Sequence, residues 1–258
     1  ERQGACVDLR RTWAALVNGR GLLANLTAEV SGRKAIEPGL WDLLKALPRE
    51  EHPKQAWRAQ CERGAEGMVI PAQVNYVGKA LGLAPAGYAF HGSHYVINRY
   101  LRTTWLWDKI RVQGGAYGAF SLLDRFSGIM NFVSYRDPQL AQTLSVFDDT
   151  ARFLREADIN DSELNKAVVG AIGDLDRPRL PDAKGMLSLV RYLVGDDYAK
   201  RQRIREEILA TSKEDFRSFA EWLDDFREQG EVAVLGGKQA LDGAKDQGVS
   251  LTHTWQVL

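Results

Sequence analysis

The chain has 258 residues, 45% of them hydrophobic and 26% charged, which suits a globular protein able to bury a sizeable core. Lys plus Arg (34) balances Asp plus Glu (34), so no net field draws the surface to nucleic acid or an anionic membrane. No stretch reaches the ~18 apolar residues that a membrane-spanning helix needs.

The chain starts at Glu1 rather than Met, and no apolar leader follows Glu1-Arg2-Gln3-Gly4-Ala5, so the expectation is a cut inside a longer polypeptide. Cys6 and Cys61 are too few for a disulfide framework and are read as reduced thiols in a reducing compartment. From Val7 to Leu47 the pattern reads helix, short strand, helix. An opening segment runs to about Asn18, the run from Gly21 to Thr27 suits a strand, and an amphipathic stretch follows through Ile36, Leu40, Trp41, Leu44 and Leu47. That is too little for a core of its own. Pro48 to Gly67 is polar and broken by Pro48, Pro53 and Gly64, which predicts a linker and a domain boundary near residue 67.

Met68 to Val77 predicts a buried strand, entered at Pro71, where a missing N–H is tolerated. A helix is expected from about Ser93 to Val112. Val96, Tyr100, Leu106 and Ile110 share one face and Ile97, Leu101 and Trp105 another, so it should be buried on two sides. Ala116 to Leu123 and Ile129 to Tyr135 read as a hairpin around the turn Asp124-Arg125-Phe126-Ser127-Gly128. Beyond Pro138 the pattern is helical: Leu140 to Arg155, Ser162 to Ile172, Ala183 to Leu193, a segment ending near Leu209, and Ser212 to Phe226. Asn160 with Glu163 and Thr211 with Glu214 have capping-box spacing. Glu231 to Leu235 reads as a strand, and Gly236-Gly237 turns into a last short helix. This order predicts an α+β fold, an antiparallel sheet packed on one face by helices, with no internal repeat.

The richest chemistry lies in Leu106-Trp107-Asp108-Lys109-Ile110-Arg111-Val112-Gln113-Gly114-Gly115-Ala116-Tyr117-Gly118. An arginine at a helix end is ordinarily a solvated charge or a dipole partner, and a tyrosine opening a strand ordinarily packs. The Gly114-Gly115 pair between them tips the reading toward function. It lets the backbone turn sharply and a substrate come close, with guanidinium and phenol on neighbouring sides of one pocket. A phenol aimed at a developing oxyanion beside an arginine gripping a carbonyl is what acyl transfer needs.

Other candidates read as structural. His91 and His94 have the spacing of a metal-binding pair, but no third ligand is near and His52 and His253 are remote, so capping or packing is expected. Asp174-Leu175-Asp176 runs into Arg177, Pro178, Arg179 and Pro181 and reads as an ionic helix end. The glycine run lacks a Walker Lys-Ser/Thr and precedes a strand instead of linking strand to helix, which argues against nucleotide binding. No serine sits in a G-x-S-x-G elbow, and no H-x-x-E-H, H-E-x-x-H or cysteine cluster occurs. Residues that bind a metal or activate a water must come from outside this chain.

At Asp108 to Gly118 the chain resembles the pitrilysin/insulinase family of zinc metallopeptidases, specifically the C-terminal half of its presequence protease branch. Further blocks carry the resemblance in family order: Pro71 to Gly78, Arg99-Tyr100-Leu101, Ser134-Tyr135-Arg136-Asp137-Pro138, Gly170 to Asp176, Lys184-Gly185 and Val190-Arg191-Tyr192-Leu193. The resemblance implies a clamshell of four related α+β domains in two halves around a peptide chamber. Residues 1–66 would be the tail of the third domain plus linker, and residues 67–258 the fourth. It implies Zn2+ in the full-length enzyme, held by an inverted H-x-x-E-H motif and a distal glutamate of the N-terminal half, and none bound by this chain. The pair it assigns to the C-terminal half falls on Arg111 and Tyr117, one holding a substrate carbonyl and the other stabilising the tetrahedral intermediate, with Gly114 and Gly115 beside the substrate. The implied partners are the N-terminal half and short unstructured peptides such as presequences, with neither nucleic acid nor membrane, and the fragment alone is expected to be inactive. A bacterial cytoplasm is the expected compartment, with the mitochondrial matrix as the alternative. The rival reading is a catalytically inactive relative serving as a structural or peptide-binding module, against which the intact Arg111 and Tyr117 argue.

Overall fold

The computed structural model describes residues 2–51, 56, 64–83 and 87–257. In chain order its elements begin with α1 (Arg2–Leu16), α2 (Val30–Ala46), β1 (Glu66–Val69), β2 (Tyr76–Gly82) and α3 (Ser93–Thr103). A π-helix (Trp107–Gln113), β3 (Gly118–Asp124) and β4 (Ile129–Tyr135) follow. The remainder is α4 (Leu140–Asp148), α5 (Thr150–Glu156), α6 (Asp161–Leu175), α7 (Pro181–Leu193), α8 (Tyr198–Leu209), α9 (Lys213–Glu221), α10 (Phe226–Gln229), β5 (Glu231–Gly236), α11 (Lys238–Asp246) and β6 (His253–Gln256). Two units divide the chain: Glu1–Gln60 with Pro178–Asp197, and Cys61–Arg177 with Tyr198–Leu258.

The smaller unit holds α1, α2 and α7. Neither α2 nor α7 buries a residue, and Trp13, Leu16, Leu23, Trp41 and Leu43 stand exposed. The strand expected at Gly21 to Thr27 does not form. Residues 22–29 run as irregular chain, because a strand needs a partner ladder and the unit offers none among its described residues. Much of the expected linker, including His52, Pro53 and Cys61, lies outside the described residues.

The larger unit is built on a six-stranded sheet of order β3-β4-β2-β5-β1-β6. Alternation along β2 and β4 turns Val77, Lys79, Met130, Phe132 and Ser134 inward. Phe132 stacks on Phe147 of α4 (5.5 Å) and meets Phe226 of α10 edge-on (4.9 Å). Burying side chains of this size contributes on the order of 2 kcal/mol each, which makes this face the main source of cohesion. Lys79 reaches out of the same face to Asp148 (2.6 Å) and the Arg227 carbonyl (3.0 Å), so its charge is paired where water is excluded. Burial pushes the Asp148 carboxyl up, with Lys79 working against that rise.

The α+β class stands, with one correction to the sheet. β3 with β4, β4 with β2, and β2 with β5 are antiparallel, whereas β1 runs parallel to both β5 and β6. β5 and β6 flank β1 and so run parallel to each other, which requires a crossover, and α11 between them supplies it. The Asp124 to Gly128 turn joins β3 and β4, with the Asp124 carboxylate accepting from the Phe126 N–H (3.1 Å) and the Ser127 hydroxyl (2.6 Å).

Several elements differ from expectation in extent. The strand over Met68 to Val77 is two strands, β1 and β2, parted around Pro71. The helix over Ser93 to Val112 breaks after Thr103. The hydroxyls of Thr103 and Thr104 donate back to the carbonyls of Arg99 (3.0 Å) and Tyr100 (2.7 Å), a habit that bends helices, and the chain resumes as a π-helix. Leu140 to Arg155 is likewise two helices, α4 and α5, and Ser212 to Phe226 is α9 followed by turns. The Asn160/Glu163 capping box forms, but the second box lies one residue later, where the Asp215 carboxylate accepts from the Ser212 N–H (2.7 Å). Thr211 donates instead to the Glu207 carbonyl and closes α8.

Candidate functional site

Ile110, buried in the core, anchors the π-helix, and the chain must leave it at once to enter β3. Gly114 and Gly115 make that exit. A Cβ on Gly114 would lie 2.6 Å from the Ile110 carbonyl oxygen, and Gly115 has φ of +79°, a conformation side chains resist. Ala116 then sinks into the core, its N–H donating to the Ile110 carbonyl (3.0 Å). Tyr117 is carried back outward, its N–H donating to the carbonyls of Tyr135 (3.1 Å) and Arg136 (3.4 Å).

This path sets two exposed side chains face to face. The Arg111 guanidinium lies 5.6 Å from the centre of the Tyr117 ring and 4.3 Å from that of Trp107. Tyr117 is 65% exposed, and its ring packs edge-on to Tyr135 (5.8 Å), which packs edge-on to Tyr76 (5.4 Å). The nearest acid in sequence, Asp108, is engaged by the Gln113 amide (2.7 Å). Among the described residues Arg111 has no carboxylate partner and the Tyr117 hydroxyl no hydrogen bond. Five guanidinium donors and one phenolic donor are therefore held by aromatic stacking alone and open to a ligand.

The histidine pair is arranged differently. His94 is 7% exposed, and its Nδ1 shares a hydrogen bond with the Tyr88 hydroxyl (2.7 Å) and accepts from the His91 N–H (3.2 Å). Burial, then His91, lower its pKa to about 4, so it is neutral at physiological pH. His91 Nδ1 shares a hydrogen bond with Ser93 (2.8 Å). These rings are occupied by their neighbours, and among the described residues no group of three or more His, Cys, Asp or Glu is placed to hold a metal. Asp174 pairs with Arg99 (2.7 Å) and Asp176 with Arg205, tying helices together.

Three neighbours of the Arg111/Tyr117 pair escaped the reading of the sequence: Trp107, Tyr135 and Arg136. Trp107 precedes Arg111 by four positions, a spacing that stacks side chains on one helix face, and that signal was present. Tyr135 and Arg136 fall in the block Ser134 to Pro138 that carries the family resemblance, but nothing in their local pattern ties them to Arg111 and Tyr117.

Comparison with known proteins bears on the whole segment. The profile of the family described as the PreP C-terminal domain matches residues 65–237. The chain is 41% identical over 248 residues to presequence protease 1, chloroplastic/mitochondrial, of Arabidopsis thaliana, covering 95% of this chain and 23% of that protein. It is 33% identical over 238 residues to the mitochondrial presequence protease of Emericella nidulans, covering 91% and 22% respectively. The chain thus spans about a quarter of the length of the curated relatives it matches. Among solved structures, the peptidase M16 inactive domain from Pseudomonas fluorescens superposes with a TM-score of 0.56 at 14% identity, over 80% of this chain and 51% of that one. A protease from Helicobacter pylori does so at 0.51 and 17% identity, over 77% and 52%. At such identities the likeness speaks to the fold, an M16 peptidase-like domain, and no helix among the described residues is long and apolar enough to cross a membrane. With most of its length matched by the profile, this chain belongs to the PreP C-terminal domain family.

Proposed function

We infer that this chain is part of the C-terminal half of a zinc metalloendopeptidase that cuts short unstructured peptides, presequences among them, and that it supplies a substrate clamp. One observation carries this reading: Arg111 and Tyr117 stand side by side, exposed and without internal polar partners, behind a backbone turn that only glycine permits. Among the described residues no group of three or more His, Cys, Asp or Glu is placed to hold a metal. Zinc held by an N-terminal half would supply polarisation of the scissile carbonyl and an acidified water.

This chain's own contribution follows from its donors. Arg111 binds a backbone carbonyl of the peptide near the scissile bond, its forked donors fixing the strand's position. Tyr117 donates its phenolic proton in a hydrogen bond to the oxygen that gains charge as the carbonyl becomes tetrahedral. Such a bond is stronger in the transition state than in the ground state and so raises kcat. Gly114 and Gly115 leave room for the peptide backbone beside both. Residues 1–66 are the end of a preceding domain with its linker and 67–258 the closing domain, and the partner is the N-terminal half of the same polypeptide. The names of the relatives, presequence proteases, support the substrate class.

The test is reconstitution. This chain alone is expected to leave an unstructured peptide intact, and the chain combined with the rest of its polypeptide, the N-terminal half included, should cleave it in a zinc-dependent manner. Cleavage by the isolated chain overturns the split-site reading. Peptide binding with no cleavage by the reconstituted pair would instead favour an inactive binding module.

A further inference from the structure

Arg136 is the single non-glycine residue with positive φ among the described residues, at 51°. That region is unfavourable for a residue with a Cβ and persists only where the surroundings force it. Here both neighbours are fixed. Tyr135 ends β4 opposite Gly118. Asp137, fully buried, exchanges backbone hydrogen bonds with Asn75 (2.8 Å each way) and accepts at its carboxylate from the Gln139 N–H (2.8 Å) and the Thr143 hydroxyl (2.6 Å). The Asn75 side-chain amide donates to the Asp137 carbonyl as well (2.9 Å).

The kink sets the arginine at the edge of the clamp. Its guanidinium lies 5.9 Å from the centre of the Tyr135 ring, which packs against Tyr117, and its backbone carbonyl accepts from the Tyr117 N–H. A second arginine–tyrosine pair therefore abuts the first. Arg136 is exposed and, like Arg111, has no carboxylate partner among the described residues. Two unpaired guanidinium groups on one short strip of aromatic surface attract an anion, and a planar fork fits a carboxylate with two parallel hydrogen bonds.

We propose that Arg136 is a specificity-determining residue that binds a carboxylate of the peptide, either an acidic side chain or the free C-terminus, next to the Arg111/Tyr117 clamp. This rests on reading that clamp as peptide-binding. The strained backbone aims the guanidinium where an extended peptide leaving Arg111 and Tyr117 passes Tyr135.

The test uses the full-length protein that contains this chain. Arg136→Asn tolerates the left-handed backbone but loses the guanidinium, Arg136→Gly removes the strain as well, and Arg136→Lys keeps the charge. Each is measured on one neutral, C-terminally amidated peptide, on its glutamate-substituted form, and on its free-acid form. The expected result is an about tenfold fall, expressed in KM, in the preference for one carboxylate-bearing peptide over the neutral one. Both Arg136→Asn and Arg136→Gly should show it, and Arg136→Lys should retain most of the preference. A fall confined to the glutamate peptide identifies a side-chain carboxylate, and one confined to the free acid identifies the C-terminus. Equal changes on all three peptides, or none, overturn the proposal. Peptide affinity measured by fluorescence anisotropy separates the two readings. If Tyr117→Phe leaves kcat intact the clamp reading fails, while loss of carboxylate-selective affinity on changing Arg136 still reports on this subsite.

Discussion

Two residue pairs in the larger unit look alike on paper and differ in space. His91 and His94 lie three apart at a helix start, and Arg111 and Tyr117 lie six apart across a glycine turn. In the first pair His94 is buried and the Nδ1 atom of each ring meets a hydrogen-bond partner within the fold. In the second, both groups are exposed and stacked only on rings. The difference teaches that chemical type is a weak guide to function, and that polar capacity left unused after folding is a stronger one.

The comparison breaks most readily at Tyr117. In the full-length protein the proposed clamp requires that Tyr117→Phe lower kcat by ~10²-fold, the usual cost of removing an oxyanion donor, with the melting temperature unchanged because the hydroxyl bonds to nothing among the described residues. An unaltered kcat in single-turnover assays would dismiss the assignment. Next comes Arg111→Ala, expected to lower kcat/KM by about tenfold or more through both constants. If only the melting curve moved, Arg111 would be a helix-end charge and no clamp. Trp107→Leu, which leaves the guanidinium in place but takes away its stacking partner, should raise KM by a few-fold at most.

The histidine side of the comparison predicts a pH effect on stability rather than on rate. The folded pKa of His94, about 4, lies below its ordinary 6.5, so the unfolded chain binds the proton more readily. Stability is therefore level above pH 6.5 and falls as the pH drops from 6.5 towards 4, by about 1 kcal/mol at pH 5.5. Denaturant titrations across that range should show the slope in the native chain and lose it in His94→Leu. The smallest effect expected is none: a chelator should leave the melting of this isolated chain unchanged, and a drop would reveal a metal held by its own residues.

Much of the larger unit was legible because its signals are local. The turn from Asp124 to Gly128, the alternation of Met130 and Phe132, and the Asn160/Glu163 box are each set by residues a few positions apart, and each appears where expected. Long-range pairing was harder. β6 (His253–Gln256) is exposed at every position, so it shows no alternation, and only its ladder to β1 makes it a strand. The parallel side of the sheet was missed for the same reason. At the candidate site the glycine pair announced a sharp turn. The threonine pair at 103–104 was a local signal for the helix break that went unread, whereas the left-handed Arg136 depends on the pairing of Asp137 with Asn75, 62 positions away, which no short window of sequence contains.

The wide turn at Trp107–Gln113 has a consequence for how such a clamp is inherited. A π-helix packs about one residue more than an α-helix into a turn of similar rise, so excising a single position from it would let the coil tighten and carry Arg111 about 100° around the helix face while the chain beyond keeps its course. Arg111 would then part from Tyr117 although both were still present. Alignment of the two groups is stored in chain length as much as in residue identity, so a relative with both residues and a one-residue gap in this turn should have lost the clamp.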